Sequence, residues 1–160
     1  MSLELAIAQP APDFYLPRDG GAKVSLKYFS GRTLVLYFYP KADTSGCTRE
    51  AQAFSALQDA FEQAGARVLG VSGDPVRALD RFKQKYRLSI PLASDETHKT
   101  LTGYGVWVEK SMYGRKYMGI ERATFLIDAD GRIRKIWRKV KVEGHAEEVL
   151  AAVRALTRAA

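Results

Sequence analysis

The sequence holds one cysteine, Cys47, among its 160 residues. One thiol cannot form an internal disulfide, so no disulfide framework supports the fold and Cys47 is either buried filler or a reactive thiol. Histidine is almost as scarce. His98 and His145 stand far apart in sequence, with no second cysteine at metal-ligand spacing, so no metal site is expected. Continuous apolar runs of the ~20 residues that a membrane helix needs are also missing. Residues 1–12 lack a basic segment followed by an apolar stretch, so a secretory leader is not expected and the cytoplasm is the expected location. Glycine and proline are scattered rather than clustered, which leaves no low-complexity linker, and no internal repeat appears. A single domain over residues 1–160 follows.

What is present suits a well-packed globular chain: 46% hydrophobic and 27% charged residues. The formal net charge is +7, with a basic concentration over Arg132–Lys141. There the cations alternate imperfectly with Ile133, Ile136, Trp137 and Val140, as in a strand with solvated basic side chains. No nucleic-acid-binding motif accompanies that charge, so neither nucleic acid nor membrane is an expected partner.

Thr33–Tyr39 (TLVLYFY) is an almost unbroken β-branched and aromatic run, which suits a central strand covered on both faces. It ends at Pro40, and a polar stretch leads into Cys47. From Cys47 to about Gly65, apolar Phe54, Leu57, Phe61 and Ala64 recur at helical spacing. Asp43, Thr44 and Ser45 are all good N-caps and place the helix start at or just before the cysteine. Arg67–Ser72 reads as a second buried strand. Asp74 is predicted to cap the next helix, with Pro75 at its first position and Val76, Leu79, Phe82 and Tyr86 on its apolar face. Ile90–Leu92 extends, Ser94-Asp95 turns, and His98–Tyr104 is briefly helical. Ala123–Asp128, a turn at Asp130-Gly131 and Ile133–Lys139 form a hairpin, and His145–Arg158 closes the chain as an amphipathic helix. The order implies an α/β fold with a mixed sheet and helices on both faces.

A free thiol has a pKa near about 8.5, and only the thiolate is a good nucleophile. The unpaired N–H groups and positive dipole end of a helix start favour that anion. The polar surroundings of Cys47 also predict an accessible sulfur. The segment Tyr39–Glu50 (YPKADTSGCTRE) closely resembles the active-site signature of the peroxiredoxins, with Pro40, Thr44 and Cys47 at the family's spacing. Its Gly-Cys-Thr-x-Glu continuation resembles the bacterioferritin-comigratory, or PrxQ, subfamily. Arg122, in Glu121–Asp128 (ERATFLID), resembles the family's strand-borne arginine. Gly105–Trp107, Tyr113–Ile120 and the start Pro12-Asp13-Phe14 also resemble that subfamily.

The resemblance implies a thioredoxin-like fold and a thiol-dependent peroxidase acting on hydrogen peroxide and organic hydroperoxides. Cys47 would attack the peroxide and become a sulfenic acid. Arg122 would hold thiolate and peroxide, Thr44 would hydrogen-bond the peroxide, Pro40 would wall the pocket, and Glu50 would orient Arg122. Each residue type also has a purely structural use: Thr44 as a cap, Pro40 as a strand terminator, Glu50 as a first-turn acid, and Arg122 as a surface charge. Their joint spacing carries the inference.

Relatives that form an intramolecular disulfide carry a second cysteine five or about thirty-six residues later. Gln52 and Lys83 stand at those positions here. The sulfenic acid must therefore be reduced by an external thiol, whether thioredoxin, glutaredoxin or glutathione, or form an intermolecular disulfide, and the helix start must loosen near residues 44–53 to admit a bulky reductant. The resemblance suggests a monomer and no cofactor. A dithiol oxidoreductase would need Cys-x-x-Cys, but position 50 is Glu50. A basic thioredoxin-like binding protein without peroxidase activity is the other reading.

Overall fold

A computed structural model describes residues 5–159. Chain order runs β1 (Tyr15–Pro17), β2 (Lys23–Ser25), β3 (Thr33–Phe38), α1 (Ser45–Ala56), α2 (Gln58–Gln63), β4 (Ala66–Ser72) and α3 (Val76–Tyr86). It continues β5 (Leu92–Ser94), α4 (Lys99–Gly103), β6 (Trp107–Met112), β7 (Arg115–Ile120), β8 (Ala123–Ile127), β9 (Ile133–Trp137) and α5 (His145–Ala159). The main sheet has the order β5-β4-β3-β8-β9. β4 is parallel to β3 and β5, whereas β8 pairs antiparallel with β3 and β9. The predicted mixed α/β sheet is therefore present, with β3 at its centre.

Side chains of successive strand residues point to opposite faces. Leu34, Leu36 and Phe38 accordingly join one buried cluster with Phe14, Leu101 and Phe125. Val35, Tyr37 and Tyr39 join the other with Cys47, Phe54, Phe61, Phe82 and Val149. Helices α1, α2, α3 and α5 contribute to that second cluster, while α4 and the β1–β2 pair cover the opposite face. Two buried faces explain why β3 is apolar at every position from Leu34 on rather than at alternate ones.

Gly70 lies opposite Tyr37 in the β3–β4 register. A Cβ there would stand 2.7 Å from Tyr37 Cζ, so the absent side chain is what seats this ring in the core.

Three local expectations are corrected, and one hairpin is added. The helix predicted from Cys47 to Gly65 is two helices, broken at Leu57 (φ −100, ψ 7). Ser55 O accepts from Ser89 Oγ at 3.3 Å, and Ser89 N donates to Ser55 Oγ at 3.1 Å. These bonds draw backbone and side chain out of the helical ladder at the break. The apolar period persists across it because Phe54 and Phe61 both reach the core.

Asp74 does not cap α3, which starts after Pro75 in extended geometry (φ −70, ψ 157). Its Oδ2 instead accepts from Ala42 N and Ser72 Oγ, each at 2.8 Å. The third strand of the parallel set starts at Leu92 rather than Ile90, since Pro91 has no N–H to donate. Finally, residues 107–120 form a hairpin turning at Tyr113 (φ 51) and Gly114 (φ 77), the paired positive φ values of a tight hairpin turn.

The basic stretch is a strand only over Ile133–Trp137, short of the expected Lys139: β9 is an edge of the sheet, with Ile133 buried and Arg134 and Lys135 exposed. Exposed cations on an edge discourage strand addition. At the β8–β9 connection, Asp128 Oδ1 accepts from Asp130 N and Arg132 N at 2.9 and 3.0 Å, closing the turn. No helix among the described residues is long and apolar enough to cross a membrane.

Candidate active site

Cys47 occupies the third residue of α1, nine residues beyond the carboxyl end of β3. Thr44 is the N-cap, and the helical ladder opens with Thr48 N donating to Thr44 O at 2.9 Å. The N–H groups of Gly46 and Cys47 precede that first bond and have no carbonyl within the helix to donate to. Thr44 does not cap them with its side chain, whose Oγ1 donates the other way, to Lys41 O at 2.7 Å. The donors at the helix start thus stay available to an anion.

The sulfur is not exposed as the polar sequence around it suggested; Cys47 is only 1% exposed. Cys47, Ala51 and Phe54 lie at i, i+4 and i+7 on the face of α1 that packs on the sheet. The solvated side of the first turn belongs to Ser45 and Arg49.

Arg122 comes from a distant part of the chain and enters beside the thiol just before β8. Its Nη2 lies 3.5 Å from Cys47 Sγ, and its Nη1 donates to Glu50 Oε1 at 2.6 Å. The side chain of Glu50 is 1% exposed and that of Arg122 is 17% exposed. One guanidinium fork is therefore held at one end by a buried carboxylate and presents the other end to the sulfur. Arg122 O accepts from Val140 N at 3.1 Å, which anchors the backbone that aims the fork. Of the sequence-selected set, Cys47, Glu50 and Arg122 are in direct contact. Thr44 caps the same helix, and half-buried Pro40 follows β3 at the head of the loop.

Burial pushes the Glu50 carboxyl up to about 7, with the charge and hydrogen bond of Arg122 opposing that rise. The same carboxylate draws the Arg122 guanidinium above its usual value, against desolvation. Between pH 4.5 and about 7, the folded chain retains on Glu50 a proton that the unfolded chain releases. The contribution of this group to stability therefore declines as pH rises, by up to about 3 kcal/mol. Urea denaturation between pH 5 and 8 is expected to reveal that decline in the wild type and its absence in Glu50→Gln. Parallel pH dependences in the two proteins would refute the assignment.

Several neighbours were not legible in advance. A Cβ on Gly46 would lie 3.1 Å from Arg122 Nη2, the nitrogen that faces the sulfur. Gly46 has no positive φ, so the backbone would accept alanine and only the arginine would have to move. Gly46→Ala is expected to lower kcat/KM for peroxide about 10-fold through this displacement, with stability unchanged or slightly improved. Unaltered kinetics would show that the close approach does not constrain the fork. Its signal in the sequence was its place in the Gly-Cys-Thr-x-Glu continuation, which says nothing of the arginine that approaches it.

Asp74 holds the loop before Cys47 through Ala42, but at the sequence level its type and its place before Pro75 pointed to a cap. His145 starts α5 as predicted. Its Nε2 is also 2.8 Å from Thr124 Oγ1, and its ring meets Phe54 and Trp137 edge-on. Burial pulls its pKa below the usual histidine value. Among the described residues, no group of three His, Cys, Asp or Glu side chains is placed to hold a metal.

The AhpC/TSA family profile matches residues 7–136. A putative peroxiredoxin bcp of Coxiella burnetii is 49% identical over 150 residues, covering 94% of this chain and 98% of the relative. Peroxiredoxin Bcp of Bacillus subtilis is 45% identical over 148 residues, covering 92% and 94% of the two chains. Among solved structures, peroxiredoxin Q of Xanthomonas campestris superposes with a TM-score of 0.89 at 44% identity, covering 96% of this chain and 97% of its own. A structure of the bacterioferritin comigratory protein from the same organism, studied for its alkyl peroxide reduction activity, superposes equally well at 43% identity, covering 96% and 98%. Likeness of this extent, running through the segment that brings Arg122 to Cys47, establishes that the chain belongs to the AhpC/TSA family, within its Bcp/PrxQ peroxiredoxins.

Proposed function

We propose that Cys47 is the peroxidatic thiolate of a thiol-dependent peroxidase that reduces hydrogen peroxide and organic hydroperoxides. The observation that carries this reading is the Arg122 fork, 3.5 Å from Cys47 Sγ and 2.6 Å from Glu50 Oε1. The thiolate attacks one peroxide oxygen in line with the O–O bond. An S–O bond forms, the O–O bond breaks with its electron pair on the departing oxygen, and that oxygen leaves as water or an alcohol after taking a proton. Negative charge thus moves from sulfur to oxygen across a distance that one guanidinium can span, and fixed donors aimed at moving charge lower the barrier.

Arg122 follows this charge, and the free N–H groups of Gly46 and Cys47 add donors at the helix start. The Thr44 hydroxyl already donates to Lys41 O, so it serves the peroxide as an acceptor of the O–H proton. Pro40 walls the pocket, and Glu50 fixes the fork from behind. Cys47–SOH then condenses with an external thiol to a mixed disulfide, releasing water, and a second thiol frees Cys47. We assign this work to one domain over residues 1–160, acting as a monomer in the cytoplasm, where small and protein thiols are kept reduced.

One equivalent of peroxide followed by dimedone is expected to leave a single adduct on Cys47. Failure to trap an adduct in a protein that consumes peroxide would refute the sulfenic acid pathway. The basic binding-protein reading predicts neither consumption nor adduct.

A further inference from the structure

Beside the loop that leads into Cys47 lies an open groove of about 620 Å³, within the size range of small-molecule sites. Residues Lys41, Ala42 and Asp43 form one wall. Helix α3 forms the other through Ala78, Arg81 and Lys85, which share one face at i, i+3 and i+7. The walls are tied together three times: Ala42 N donates to Asp74 Oδ2 at 2.8 Å, Lys85 Nζ pairs with Asp43 Oδ2 at 2.9 Å, and the Tyr86 hydroxyl donates to Asp43 Oδ1. Asp43 is thereby matched by Lys85, and the Asp74 carboxylate is turned to Ala42 and Ser72. Lys41 and Arg81, both exposed, have no carboxylate partner among the described residues.

We propose that this groove binds the reducing substrate, and that the substrate is a low-molecular-weight thiol carrying carboxylates, held by Arg81 and Lys41. The proposal rests on the peroxidase reading and names the class of reductant for the same sulfur. Cys47 has no thiol partner in its own chain, so its sulfenic acid depends on a thiol delivered from outside. Thr44, which follows the groove wall, is three residues from Cys47, within about one helical turn. With Cys47 1% exposed, the first turn of α1 must loosen before a thiol can reach its sulfur. The Arg81 anchor is on α3 and stays in place while α1 opens, so a bound thiol faces the segment that moves. The bound thiolate attacks the sulfenic sulfur, forming a mixed disulfide and releasing hydroxide, which leaves as water with the thiol's proton. A second thiol attacks the substrate's sulfur, giving free Cys47 and the oxidised disulfide of the reductant.

Reduced glutathione serves as the anionic probe, with 2-mercaptoethanol and dithiothreitol as uncharged thiols. Arg81→Glu is expected to lower kcat/KM for glutathione by about 10-fold at low ionic strength, and to leave turnover with both uncharged thiols unchanged. Arg77→Glu makes the same change in net charge on α3 outside the groove, and is expected to cost less than twofold. Added salt should erode the wild-type rate with glutathione and spare the rate with 2-mercaptoethanol. Equal losses in the two charge-reversal variants, an undiminished glutathione rate in Arg81→Glu, or turnover with dithiothreitol but none with glutathione would each overturn the groove assignment. Wild-type protein that fails to consume peroxide even with dithiothreitol would instead overturn the peroxidase reading on which it rests.

Discussion

Cys47→Ser is expected to abolish thiol-dependent peroxide consumption, with a fall of at least about 10³-fold to the uncatalysed background. Serine preserves the size of the side chain at a site only 1% exposed, so the fold should survive. Its hydroxyl is scarcely ionised at neutral pH, and oxygen is the poorer nucleophile toward a peroxide O–O bond. The chain contains no other thiol to take over. Consumption of hydrogen peroxide and of an organic hydroperoxide with excess dithiothreitol measures the effect, and circular dichroism checks the fold. Equal turnover in wild type and variant would remove Cys47 from the chemistry altogether.

Arg122→Ala should have the next largest effect, a loss of about 10² to 10³ in kcat/KM for peroxide. It removes the donor beside the sulfur and leaves the Glu50 carboxylate buried without its cation. The second consequence threatens stability by about 3 kcal/mol or more, and a partly unfolded variant would mimic a catalytic defect. Two further proteins separate the causes. Arg122→Lys keeps a positive charge but replaces the planar fork with a point charge, which cannot hold Glu50 and face the sulfur in the same way, so its activity should fall between the two. The double variant Arg122→Ala, Glu50→Gln removes the orphaned charge and should recover stability without recovering activity. If activity returned with stability, Arg122 would be a structural cation rather than a group acting on the peroxide.

The pH dependence of Glu50 and the Gly46→Ala effect probe the same fork from two other sides. Glu50 tests the support behind the guanidinium, and Gly46 tests the clearance in front of it. Joint failure would leave the 3.5 Å contact with sulfur without functional weight.

Local sequence made Thr33–Tyr39 a central strand and placed a helix start at Cys47, because side-chain period and cap chemistry act over a few residues and need no distant partner. It also set the redox cycle: with Gln52 and Lys83 in place of a second cysteine, no fold of this chain could close an internal disulfide. The family signature brought Pro40, Thr44, Glu50 and Arg122 into view as a set. Its hold on Arg122 came from resemblance, since nothing in local spacing links residues 47 and 122.

The sheet made that link, by placing antiparallel β8 beside β3 so that the start of one strand lies next to the end of the other. Tertiary packing also buried Cys47 in a polar segment, since the helix face it occupies is set by Ala51 and Phe54, not by its neighbours in sequence. It broke the helix at Leu57, where Ser89 competes for Ser55, and turned Asp74 from a cap into a tie for the loop. These outcomes depend on groups far apart in the chain, whose meeting no local periodicity encodes. The lone cysteine and its helix start were determined by the sequence itself; its burial, the Arg122 fork beside it and the basic groove beside the loop that leads to it exist only because the fold brings separate segments together.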